Sequence, residues 1–176
     1  MTMRKSGWIL AVCAAVSPVS AWAASGLSAE TLAGTWQCVF QERSGEHLAE
    51  MNTRLNLQAD GKSQTQMHWH FFVEGDTLDY RIQSQGRWRL EQQTLIREEN
   101  PFEVKRGHRR ASLKNKNIRD LDKRWFGSMQ QEVKRKKPAV AQARILSFNG
   151  DEMVLVGGEK MQCTRVSDPS ANGMAK

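Results

Sequence analysis

Two short segments near opposite ends of the chain, Gly34-Thr35-Trp36-Gln37-Cys38 and Cys163-Thr164-Arg165, most constrain what it folds into. Each reads as a strand, and each carries a cysteine. If the two cysteines pair, the first and last strands of a sheet are neighbours, and a sheet whose ends meet is a closed or nearly closed barrel. This is a statement about architecture and carries no reaction with it.

The pairing expectation rests on compartment. Arg4 and Lys5 precede an apolar run from Trp8 to Val16, and Ala21-Trp22-Ala23 places small residues at a cleavage position, so residues 1–23 read as a secretory leader. Ser17, Pro18 and Ser20 interrupt the run well short of the roughly 20 apolar residues of a spanning helix, so the chain is not expected to cross a membrane. Leu10-Ala11-Val12-Cys13 offers a weaker rival, lipid modification at Cys13. Removal of the leader leaves Cys38 and Cys163, expected as a disulfide in a periplasmic or secreted protein. They lack the short spacing of a metal-binding cysteine pair.

The intervening residues alternate with a period of two. Met51, Thr53, Leu55 and Leu57 share one face against Asn52, Arg54 and Asn56, and Asp60-Gly61 supplies a hairpin turn. In the partner strand over 62–73, Met67, Trp69, Phe71 and Val73 oppose Gln66, His68, His70 and Phe72. Further strands are expected at 77–84, 86–91, 94–98, 140–148, 152–157 and 160–166, with a turn at Asn149-Gly150-Asp151. The expectation is a mainly β chain: one antiparallel up-and-down barrel of about eight strands over 32–166, after a lead-in at 24–31 and before a disordered tail at 167–176.

A basic insert at 99–138 breaks this rhythm. Ile118, Leu121, Trp125, Met129 and Val133 recur at steps of three and four, which predicts an amphipathic helix from Asn117 to Arg135, capped by Asn117 and stopped by Pro138. Residues 105–137 hold 13 lysines and arginines against Asp120, Asp122 and Glu132. The chain is therefore a mildly acidic barrel carrying one strongly basic segment. Arg106, Arg109, Arg110, Lys114, Lys116, Lys123, Arg124, Lys134, Arg135, Lys136 and Lys137 are the candidates to meet an anionic membrane, polymer or acidic protein. Nucleic acid is not expected, because no nucleic-acid motif accompanies the charge.

The end segments also carry a resemblance. Gly34-Thr35-Trp36 on the first strand and Arg165 on the last are similar to the lipocalin pattern, in which a first-strand tryptophan packs under a basic residue at the closed end of an eight-stranded barrel. The resemblance covers most of 32–166. It implies a structural Trp36–Arg165 contact and a scaffold that often binds small apolar molecules. Leu55, Leu57, Met67, Trp69, Phe71, Tyr80, Ile82 and Trp88 are the expected interior-lining residues.

Catalytic chemistry finds little support. His68 and His70 point the same way on a strand and offer two metal ligands, with His47, His108, Asp79 or a methionine as a third. Glu98-Glu99 reads as a solvated turn, and Ser44-Gly45-Glu46-His47 has no nucleophile motif around it. The expected role is non-enzymatic binding of a small apolar molecule or of an envelope component, with no cofactor. A metal-binding role through His68 and His70 is the further alternative.

Overall fold

Turn chemistry sets the frame. Gly61 takes φ +81°, and the Asp60 carboxylate accepts from the Lys62 amide at 3.0 Å. At the turn over 149–151 the Asn149 side-chain oxygen accepts from the amides of Asp151 and Glu152 at 3.0 and 2.7 Å, the Asx arrangement that reverses a chain without help from elsewhere. Between such turns the alternating segments pair in sequence.

The structure is a computed structural model that describes residues 26–45, 47–73 and 75–166. The expected leader at 1–23 and tail at 167–176 lie outside the described residues. A short helix α1 (Ala29–Leu32), opened by a Ser28–Thr31 capping box, leads into eight strands. These are β1 (Gly34–Ser44), β2 (His47–Leu57), β3 (Lys62–Val73), β4 (Asp76–Glu91), β5 (Thr94–Arg106), β6 (Ala139–Phe148), β7 (Glu152–Val156) and β8 (Lys160–Val166). Each pairs antiparallel with its neighbour in sequence, and β8 returns to β1, so the sheet is a closed barrel. Between β5 and β6 run a 3-10 turn (Arg110–Leu113) and helix α2 (Lys116–Val133). Among the described residues no helix is long and apolar enough to cross a membrane.

The closing seam is short. β1 and β8 share five pairs, from Thr35–Val166 to Val39–Gln162, and Cys38 stands directly opposite Cys163. Their sulfurs are bonded at 2.04 Å.

Several boundaries differ from those expected. The segments at 77–84 and 86–91 form one strand, because Gly86 lets β4 run close against β5: a Cβ there would lie 2.0 Å from the Glu98 carbonyl oxygen. β5 continues to Arg106 where the sequence suggested an end at 98, so the insert proper begins at 107 and Glu98-Glu99 is strand instead of solvated turn. Pro101 does not stop the strand because it falls at the register shift between Gln83 and Ser84, where the ladder is already irregular and a missing N–H is tolerated. Helix α2 starts one residue before the expected Asn117, since Asn115 is the cap: its side chain accepts from the Asn117 amide at 2.9 Å.

Inward-facing side chains form two apolar clusters. At the base, Leu32, Trp36, Leu55, Leu57, Trp88, Leu95, Ile145, Met153 and Leu155 pack around the disulfide. At the other end Leu78, Tyr80 and Ile118 pack with Trp69, Phe71, Trp125, Phe126 and Met129, so α2 lies across the barrel mouth with its apolar stripe turned in. Between them, on β3, β4 and β5, sits a polar belt of Thr65, Ser84, Arg97 and Glu99.

Candidate functional site

Helix α2 does not fill the mouth. Met67, Trp69 and Phe71 from β3, Ile82 from β4, Pro101 and Val104 from β5, Ala139 from β6, and Trp125, Ser128, Met129 and Glu132 from α2 enclose a partly open cavity of about 690 Å³. That volume is in the range of sites for drug-sized molecules, and Ser128 and Glu132 are the polar residues of its wall. The strand period explains the lining. Residues 67, 69 and 71 share the inward phase of β3, and Met67 and Trp69 stand opposite Ile82 and Tyr80 on β4.

Of the eight expected interior residues, the structure brings Met67, Trp69, Phe71 and Ile82 to this cavity. Leu55, Leu57 and Trp88 face inward too, but they are packed solid in the basal cluster. Tyr80 is fully buried among aromatic rings under α2, outside the cavity wall. Alternation identifies the inward face; it carries no information on which levels of the barrel are filled.

The helix is pinned across the mouth by one buried carboxylate. Asp122 accepts a hydrogen bond from the Tyr80 hydroxyl at 3.0 Å and a bifurcated one from Arg106 Nε, 2.9 and 3.0 Å from its two carboxylate oxygens, and His108 Nε2 lies 3.4 Å away. Arg106 also covers the Phe126 ring at 3.6 Å. Burial, reinforced by the neighbouring Asp122 charge, pushes the Tyr80 phenol well above its ordinary range. Arg106, expected among the cations facing a partner, is thus engaged by Asp122 and Phe126 while its side chain stays 37% exposed. The sequence signal for this latch is Asp122 itself, a carboxylate inside the stripe of Ile118, Leu121, Trp125 and Met129.

Below the cavity, Glu99 is 12% and Arg97 14% exposed, 3.3 Å apart. Thr65 Oγ1 donates to Glu99 and accepts from Arg97 Nη1 at 3.0 Å, and Ser84 Oγ donates to Glu99 at 2.9 Å. These donors compensate a charge that burial alone would make unfavourable. The Oγ atoms of Thr53 and Ser63 are buried without a partner among the described residues. Sequence reasoning missed this belt, although Leu95, Arg97 and Glu99 share one phase of β5.

His68 and His70 lie on the outer face of β3, both near Asp79 of β4: His68 Nε2 is 2.7 Å from one carboxylate oxygen and His70 Nδ1 3.6 Å from the other. His108 is turned away from them under α2, its Nδ1 3.1 Å from the Asp79 backbone. Among the described residues no group of three or more His, Cys, Asp and Glu side chains is arranged to hold a metal ion.

The cations of the insert are distributed around the mouth. Arg109, Arg110, Lys114, Lys116, Lys123, Arg124, Lys134, Lys136 and Lys137 are exposed, as is Arg119, and none of the ten makes a salt bridge among the described residues. Arg135 pairs with Glu132 at 2.7 Å.

At the closed end, Arg165 lies 4.3 Å over the Trp36 ring and donates to the carbonyls of Ala33 and Gly150 at 2.8 and 2.7 Å. Trp36 Nε1 donates to the Leu32 carbonyl at 2.9 Å. No protein-family model matches the sequence, and no curated protein matches it either.

Proposed function

We propose that this chain is a non-enzymatic binding protein of the lipocalin-like barrel type, acting in an oxidising extracytoplasmic compartment, with a small apolar molecule held between the barrel mouth and α2. The observation that carries the reading is the cavity: about 690 Å³ walled mainly by Met67, Trp69, Phe71, Ile82, Val104, Trp125 and Met129. Apolar surface in contact with water is unfavourable by roughly 25 cal/mol per Å², so such a wall favours an occupant that removes it from solvent. Closure by a Cys38–Cys163 bridge suits the compartment, and the Trp36–Arg165 contact accords with the barrel type.

The test is titration with the neutral fluorescent probe N-phenyl-1-naphthylamine, with Val104→Trp as the cavity-filling variant. Saturable one-to-one binding that hardly changes with salt, and falls at least about tenfold in the variant, is expected for a site dominated by apolar burial. A folded protein that leaves the probe in water removes the proposal.

A further inference from the structure

The mouth that opens the cavity is also the basic end of the molecule. Ten of the exposed cations without a salt bridge among the described residues belong to the insert, and the acidic residues of α2 do little to offset them: Asp122 is buried, Glu132 is paired with Arg135, and Asp120 alone is exposed. A second feature lies at the roots of the insert, on the barrel wall where Val140 stands opposite Glu98. Phe102, four residues before the end of β5, is 52% exposed, and Val140, the second residue of β6, is 59% exposed. These large apolar side chains therefore flank the two roots of the insert, with Lys134, Lys136 and Lys137 a few residues before Val140.

Charge without apolar groups suits any polyanion. Charge combined with protruding apolar side chains suits a surface that is anionic outside and hydrocarbon beneath. Cations remain in the headgroup layer while Phe102 and Val140 enter the acyl boundary. A hydrophilic acidic polymer offers no hydrocarbon layer to such projections.

We infer that the insert and the barrel wall at its roots form a docking surface for an anionic lipid bilayer, engaged through the insert's basic residues and through Phe102 and Val140. This goes beyond the ligand reading, and its outcome is independent of it, because membrane contact is measured with no probe in the cavity.

The experiment is co-sedimentation of the purified, oxidised protein with vesicles of phosphatidylcholine alone and of phosphatidylcholine with about one third phosphatidylglycerol. Expected is partition onto the anionic vesicles only, abolished at high ionic strength. Partition should fall at least about 100-fold when Lys134, Arg135, Lys136 and Lys137 are together changed to Glu, four exposed reversals that leave the core untouched. Phe102→Ser and Val140→Ser should each weaken it severalfold, and brominated lipid should quench the F102W variant more than the parent. Failure to sediment with anionic vesicles at low salt overturns the inference. So does sedimentation unaffected by the four charge reversals. Sedimentation with no added quenching in F102W also overturns it, and leaves attraction by charge alone, as to any polyanion.

Discussion

The guanidinium of Arg165 lies 4.3 Å above the ring of Trp36, its residue directly opposite across the β1–β8 seam. Arg165 is also the tie of the closed end: it donates to Ala33 and Thr31 on one side and to Gly150 on the other, binding the approach to β1 and the β6–β7 turn to one planar group. Gly34 makes room for it. With φ +141° and a hypothetical Cβ 2.3 Å from Arg165 Nη1, no other residue fits without displacing the guanidinium.

Trp36→Ala should therefore cost about 3–5 kcal/mol, the ordinary penalty for emptying a large buried aromatic site. Arg165→Lys should retain charge yet lose much of the tie, since an ammonium cannot reach three carbonyls from one plane. Denaturant unfolding checks both; a loss below about 0.5 kcal/mol for Trp36→Ala is a surface-like value and would contradict its placement in the core.

Replacing Cys38 and Cys163 together by serine should lower stability by about 2–5 kcal/mol, because the bridge closes a loop with a sequence separation of 125. Far-ultraviolet circular dichroism should be unchanged, since five β1–β8 pairs remain. Equal melting temperatures with and without reductant would rule out the bridge.

The polar belt predicts strong coupling between Arg97 and Glu99. Arg97→Met alone leaves a buried carboxylate without its cation and should cost about 3–5 kcal/mol. The double change Arg97→Met with Glu99→Gln should cost less than the sum of the two single changes. A double-mutant cycle with no coupling would mean that solvent, not Arg97, compensates Glu99.

Tyr80 is the sole tyrosine, so absorbance near 295 nm reads its ionisation without interference from another phenol. Burial first, then the Asp122 charge and hydrogen bond, raise its pKa in the folded state. A group with a raised folded pKa contributes stability that is fully present below the unfolded value, about 10 for a phenol, and is lost as pH climbs through the folded one. Stability should thus fall above about pH 10, and Tyr80→Phe should flatten that slope while costing stability at neutral pH through the lost Asp122 contact. Phenol ionisation near pH 10 in the folded protein would refute the buried placement.

The closed barrel of eight strands was legible from the alternation at 51–73 and the turns at 60–61 and 149–151, because side-chain direction in a strand depends on nothing beyond the neighbouring residues. The bridge was legible from two cysteines behind an expected leader. The helix was legible from the spacing of Ile118, Trp125 and Met129, although its cap was placed two residues late because both Asn115 and Asn117 are competent side chains for that position. Glu99 was misread because adjacent carboxylates before a proline resemble a turn; only the register of β5 on β4 shows the strand continuing through Pro101.

What the sequence by itself determined is the inward face, the strand order and the location of the basic segment, all set by short-range pattern and chain connectivity. The tertiary structure alone decided which inward residues are packed and which border space. It brought Tyr80, Arg106 and His108 to Asp122, and it placed Phe102 and Val140 beside the insert's cations. Those relations join residues far apart in sequence, and they depend on barrel register and on where α2 rests, which no local period encodes.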